Sequence, residues 1–427
     1  MDMDGLSRST GPKARYLPVV ALTEGPGATL TDTTPSAGTS ASTPDRAPST
    51  AAPDAIVVGA GPGGLAVAAS LRHRGVRTLV VERSGAVGAS WRGHYDRLRL
   101  HTTRRLSALP GLGIPRAYGR WVARDDVVRY LERYAEFHDL DIATGIAVER
   151  IEPAADPATG WVLPATRGRR LTARSVVVAT GYNHTPHLPD WPGRDTFDGE
   201  LLHASRYRNG RPYEGRDVLV VGVGNTGAEI AVDLAESGAA RVRLAVRTPP
   251  HIMRRSTAGW PAQRTGIMVR RLPTKLVDAV APYVERASVP DLSAYGLRRP
   301  DSGLYSRVRE GSIPVQDVGI VAAVRSGKVV PVAAVEGFAG REVLLADGTR
   351  ITPDAVVAAT GYRRGLEPLV GHLGVLDERG RPLTHGRRSP ENAPGLYFTG
   401  FTNPISGMFR EMAIDARRIA KAVAARR

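Results

Sequence analysis

The chain contains no cysteine. That excludes a structural disulfide, a thiolate metal site, a cysteine nucleophile and a cysteine-pair redox centre. It fits a reducing compartment, and a cytoplasmic location is the expectation. Lysine is scarce as well. Only Lys13, Lys275, Lys328 and Lys421 occur, so arginine carries almost all of the +16 net charge. The arginines are scattered rather than gathered in one arm or helix, and no nucleic-acid module accompanies them, so nucleic acid is not an expected partner. No apolar run reaches the roughly 18 residues of a membrane span, and the N-terminus has no apolar h-region. The longest apolar stretch, Ala55 to Leu71, is broken by glycines. No Ser-His-Asp set, paired catalytic carboxylates or metal-ligand spacing stands out, so no metal is expected.

What is present fits 427 residues organised as two domains. Residues 1–52 are dominated by Ser, Thr, Pro, Ala and Gly and read as a disordered tail. Order begins at DAIVVGAGPGGLAVAASLRHRGVRTLVVERS, which reads as strand, glycine turn, helix and strand. RDVLVVGVGNTGAEIAVDLAESGAARVRLAVR repeats that order. The fold class expected is α/β, with two Rossmann-type dinucleotide-binding domains, one inserted into the other. The boundaries expected are 53–209 for the first part of one dinucleotide-binding domain, 210–330 for the second domain, and 331–427 for the rest of the first. The last segment ends in an amphipathic helix whose Met408, Met412, Ile419 and Val423 read as packing positions.

Gly59, Gly61 and Gly64 form GxGxxG, with Pro62 and Gly63 opening the helix. The first glycine permits the turn, the second lets backbone approach a pyrophosphate, and the third lets helix and strand pack closely. Unpaired N–H groups at the helix start then face the phosphates. Glu82, followed by Arg83, ends the second strand, where a carboxylate can accept from a ribose. Gly222, Gly224 and Gly227, enclosing Asn225 and Thr226, repeat the loop. Here the following strand ends in Arg247, with His251, Arg254 and Arg255 close behind. Guanidinium groups attract a 2′-phosphate that a carboxylate would repel. An acid at one loop and arginines at the other imply FAD in the first and NADPH in the second, and so hydride transfer from nicotinamide to flavin. An electron-transfer flavoprotein or NADPH-dependent flavin reductase satisfies those residues as well as an oxygenase does.

Between the loops lies FDGELLHASRY, with Phe197, Gly199, His203 and Tyr207. The spacing of four also fits one face of a helix. The pattern resembles the Phe-x-Gly-x-x-x-His-x-x-x-Phe/Tyr fingerprint of the flavin-containing monooxygenases. Ser90 and Trp91 in GASWR, Thr180 and Gly181 in the first ATGY, Thr360 and Gly361 in the second, and Gly400 in GLYFTGF extend the similarity over most of residues 54–427. YDRLRLHTTRRLSALPG looks like the YUCCA branch. The resemblance implies FAD, NADPH and O2 as reactants and a C4a-(hydro)peroxyflavin. It also implies a small organic substrate, either a soft nitrogen or sulfur nucleophile or a 2-keto acid such as indole-3-pyruvate. It places the fingerprint on the connection between the domains. It also puts His101 where many members carry an asparagine near the flavin, which makes His101 the candidate catalytic residue. Nothing in the residues speaks for or against a homo-oligomer.

Overall fold

The computed structural model describes residues 15–16, 52–270 and 272–426. The expected tail, apart from Arg15, Tyr16 and Ala52, lies outside the described residues. Along the chain come β1 (Ala55–Val58), α1 (Pro62–Arg72), β2 (Thr78–Glu82), α2 (Arg124–Phe137), β3 (Asp141–Thr144) and β4 (Ser175–Val178). Then follow β5 (Glu200–His203), β6 (Asp217–Val221), α3 (Asn225–Glu236), β7 (Arg241–Ala245), α4 (Thr274–Ser288), β8 (Val330–Val332) and β9 (Ala355–Ala358). The chain closes with β10 (Leu396–Phe398) and α5 (Met408–Ala424).

Two parallel sheets result. In the first the order is Arg15–Tyr16, β3, β2, β1, β4, β10. In the second it is β5, β9, β6, β7, β8. The apolar runs AIVV, SVVV and AVVA are buried at every position because layers cover both faces of each sheet. Burying each Ile or Val of such a run stabilises by about 2 kcal/mol. α1 starts with Pro62, whose missing N–H is not needed at a first turn. It packs against α5, where Met412, Ile419 and Val423 are buried as their helical spacing predicts.

The second sheet is inserted into the first unit, as expected, but its boundaries differ from those predicted. β5 and β9 lie outside the predicted 210–330 segment and belong to the second sheet, flanking one another in the register Glu200↔Ala355 to His203↔Ala358. The chain enters the insertion at Thr185–Pro186 and leaves it at Tyr362–Arg363, and these two linkers pair antiparallel. Short apolar strands do not declare their partners, so pairing across more than 150 residues could not be read from ELLH or AVVA alone.

Candidate functional site

The two glycine loops are built to one plan. Gly59 and Gly222 take φ of +110° and +105°, which L side chains rarely adopt. A Cβ on Gly59 would lie 2.5 Å from the Ala179 carbonyl oxygen, and one on Gly222 would lie 2.6 Å from that of Ala359. Each loop is therefore backed by an Ala-Thr-Gly turn that follows the adjacent strand. Gly64 and Gly227 lie deeper. Their Cβ atoms would stand 1.9 Å and 1.8 Å from the carbonyl oxygens of Gly59 and Gly222, so each helix packs against its own turn. Gly61 and Gly224 are different: nothing among the described residues lies within 4 Å of a Cβ built there. The middle glycine of each loop thus leaves its backbone open to close approach.

A cavity of about 1130 Å³ joins the loops. Gly59, Gly61, Pro62, Gly63, Glu82, Arg83, Ser90, Trp91, His101, Thr180, Gly181 and Gly400 reach its wall from the first unit, and Asn225 and Thr226 from the start of α3. Gly64, Gly222, Gly224, Gly227, Arg247, Thr360 and Gly361 are not on that wall. Gly64 and Gly227 are packing positions. The Thr360 hydroxyl donates to the His187 carbonyl, and the Gly361 carbonyl accepts from the His187 N–H at 3.1 Å and from His203 Nε2 at 2.9 Å. Three polar atoms on the wall, Thr180 Oγ1, Thr399 Oγ1 and Gln316 Oε1, are buried without a hydrogen-bond partner among the described residues. With the open Gly61 backbone they make the cavity fit a polar, phosphate-bearing group.

Glu82 is held rather than loose. Its carboxylate accepts from the Ala60 N–H at 2.8 Å and from the N–H and hydroxyl of Ser84 at 2.9 and 2.8 Å. A carboxylate has acceptor capacity beyond those three bonds. Arg83 donates to His184 Nε2 at 3.0 Å. Trp91 meets Phe409 of α5 edge-on at 5.7 Å. Asn225 ties α3 to a loop, accepting from the Gln316 N–H at 2.7 Å. Arg247 is exposed and has no ion-pair partner among the described residues. His251 does not join it: the ring is buried, with Nδ1 2.8 Å from Glu285 and Nε2 donating to the Ser302 carbonyl at 2.9 Å.

His101 has a partner that sequence reasoning missed. Glu229, on the second turn of α3, is 3% exposed, and its Oε1 bonds His101 Nε2. Its Oε2 accepts from the Tyr95 hydroxyl at 3.1 Å. Burial, and then the Glu229 charge, push the Tyr95 phenol far up, so it stays a donor. One buried carboxylate of the second unit therefore holds two rings of the first. A signal existed: Glu229 interrupts the buried run Gly227–Val232 and had to find partners. His94 also faces the cavity, and burial, then Arg208 and Arg124, lower its pKa to about 4.

The fingerprint lies within the second unit. Glu200–His203 is a strand, which removes the helical reading of its spacing. Phe197 packs on Phe338 at 5.1 Å, and a Cβ on Gly199 would stand 2.5 Å from the Phe197 ring. The Tyr207 hydroxyl donates to Asp233 of α3 at 2.6 Å. His203 Nδ1 accepts the Ser205 N–H at 3.1 Å, so both ring nitrogens are engaged, and burial lowers the pKa.

Comparison with known proteins agrees with this geometry. The family profile described as pyridine nucleotide-disulphide oxidoreductase matches residues 56–260. "Indole-3-pyruvate monooxygenase YUCCA1" of Oryza sativa subsp. japonica is 37% identical over 340 residues, which is 78% of this chain and 83% of that protein. The flavin-containing monooxygenase of Stenotrophomonas maltophilia superposes with a TM-score of 0.66 at 23% identity, covering 88% of this chain and 99% of that one. A complex of OTEMO with FAD and NADP superposes at 0.67 and 19% identity, covering 88% and 86%. Both superpositions establish the two-domain α/β fold. At the identity and coverage of the rice protein, the chain belongs to the flavin monooxygenase family of the YUCCA type.

Proposed function

We propose that the first loop holds FAD, the second holds NADPH, and the protein puts one atom of O2 into a small organic substrate. A 2-keto acid of the indole-3-pyruvate type is the class the relatives' names point to. The balance is 2-keto acid, O2, NADPH and a proton in, and the shortened carboxylic acid, CO2, NADP⁺ and water out. Bound FAD supplies the oxygen activation, with NADPH as its hydride source. The observation that carries the reading is the single cavity onto which the first turns of both α1 and α3 open.

The chain's own part is positioning. The first-turn N–H groups of each helix meet phosphate. Glu82, fixed by Ala60 and Ser84, meets ribose hydroxyls. Arg247 takes the 2′-phosphate. Leu304, Ile405, Met408 and Phe409 keep part of the wall apolar and water out. His101, oriented by Glu229, presents its other ring nitrogen as a hydrogen-bonding group. Exchange with a disulfide, the chemistry in the profile's description, is unavailable to a chain without cysteine.

The test uses purified protein carrying its flavin, with NADPH, ¹⁸O2 and indole-3-pyruvate. One ¹⁸O atom in indole-3-acetate, with one CO2 per NADPH, is the expected result. NADPH oxidation that yields peroxide and no labelled product, across 2-keto acids, amines and sulfides, would establish the flavin-reductase reading instead.

A further inference from the structure

More than half of the large apolar side chains that the described residues expose fall within residues 268–284. They are Met268, Leu272, Leu276, Val280, Tyr283 and Val284, with Met268 67% and Tyr283 70% exposed. On α4 the members at 276, 280, 283 and 284 recur at helical spacing, so they form one face. Leu276, Val280 and Val284 are also part of the cavity wall, which puts this face at the cavity's rim. A contiguous exposed apolar patch marks a contact surface.

The charges on α4 decide what it contacts. The helix has two acids, and both are engaged inward. Asp278 accepts from the Tyr305 N–H and the Ser306 hydroxyl, each at 2.6 Å, and Glu285 pairs with His251. Its two bases, Lys275 and Arg286, are exposed. A second copy of this chain, itself at +16, would bring those bases against their own kind across a twofold contact. An anionic lipid surface neutralises them while the apolar face enters the headgroup boundary. We propose that α4, together with Met268 and Leu272, docks the protein on the surface of an anionic bilayer, with the cavity rim turned toward the lipid. No helix of the described residues is long and apolar enough to cross a membrane, so the contact is interfacial. The inference does not depend on the chemistry proposed above.

The test is flotation of the full chain with phosphatidylcholine vesicles, with and without phosphatidylserine. Wild type is expected to float with the mixed vesicles and to bind at least about tenfold less tightly to phosphatidylcholine alone. Two double variants use exposed positions off the cavity wall, and far-UV circular dichroism checks their folding. Lys275→Glu with Arg286→Glu, and Met268→Ser with Tyr283→Ser, should each lower binding to mixed vesicles about tenfold or more. Wild type that stays at the bottom of the gradient overturns the proposal, as does flotation unchanged in both variants. So does a dimer, seen by sedimentation, that Met268→Ser with Tyr283→Ser dissociates, because the face would then belong to a second copy.

Discussion

The two glycine-loop units share a backbone plan and differ in what surrounds it. Distances at the first and third glycines agree within 0.1 Å between the units. The first unit ends its second strand in Glu82, bound on three sides by its own loop. The second ends its strand at Ala245, and Arg247, two residues on, is exposed. The first unit's helix is covered by α5, whereas α3 of the second sends Glu229 across to hold Tyr95 and His101. The shared part is packing geometry, which tolerates little change. The unshared part assigns the ligands and joins the halves.

The largest test of that division lies within each loop. Gly64→Ala and Gly227→Ala force a Cβ into backbone, so each should cost about 3 kcal/mol or more in denaturant unfolding, by similar amounts. Gly61→Ala and Gly224→Ala should change stability by less than about 0.5 kcal/mol. Gly61→Ala should still lower flavin content, and Gly224→Ala should weaken NADPH. If both kinds of glycine variant behave alike, the separation of packing from binding fails.

The seam between the units carries the next effect. His94, neutral in the folded state with a pKa of about 4, binds a proton on unfolding near its ordinary value of about 6.5. The unfolded state therefore holds more protons between those values, and stability falls as pH drops through that window. The loss is at most about 3 kcal/mol, complete below pH 4 and absent above about 6.5. His94→Asn should lose markedly less melting temperature than wild type between pH 7 and 4.5; parallel curves would remove His94 as the cause.

Glu229→Gln keeps the shape of the cross-unit bond and removes its charge. Labelled-product formation should fall about tenfold, with the thermal midpoint nearly unchanged. A product rate equal to wild type would separate His101 from the chemistry. The smallest effect should come from Arg247→Ala, which is expected to raise the KM for NADPH several-fold while leaving that for NADH alone. An equal rise for both coenzymes would show that the exposed arginine does not read the 2′-phosphate.

Much of this arrangement was legible from local pattern. Both β-α-β units follow from apolar strands, glycine spacing and helix length, and the insertion follows from their order along the chain. The Ala-Thr-Gly turns were visible as motifs, but their place behind Gly59 and Gly222 depends on parallel pairing between distant strands. For the same reason β5 and β9 were assigned to the wrong unit. Arg254 and Arg255 read alike in sequence, yet Arg255 lies over the Trp121 ring at 4.4 Å while Arg254 is exposed. His251 sits beside these arginines in sequence, and nothing local announces that Glu285 and Ser302 close over it. Glu229 could have been found by asking where a carboxylate inside a buried helical run finds its donors.

The paired linkers have a mechanical consequence. Thr185–Pro186 carries the chain into the second unit, Tyr362–Arg363 carries it out, and the two are bonded to each other. A body hung on two joined tapes pivots about them like a door on its hinge and resists sliding. Any swing of the second unit about this axis would widen or narrow the shared cavity, and because Glu229 rides on that unit while His101 and Tyr95 stay with the first, it must stretch or break the bonds between them.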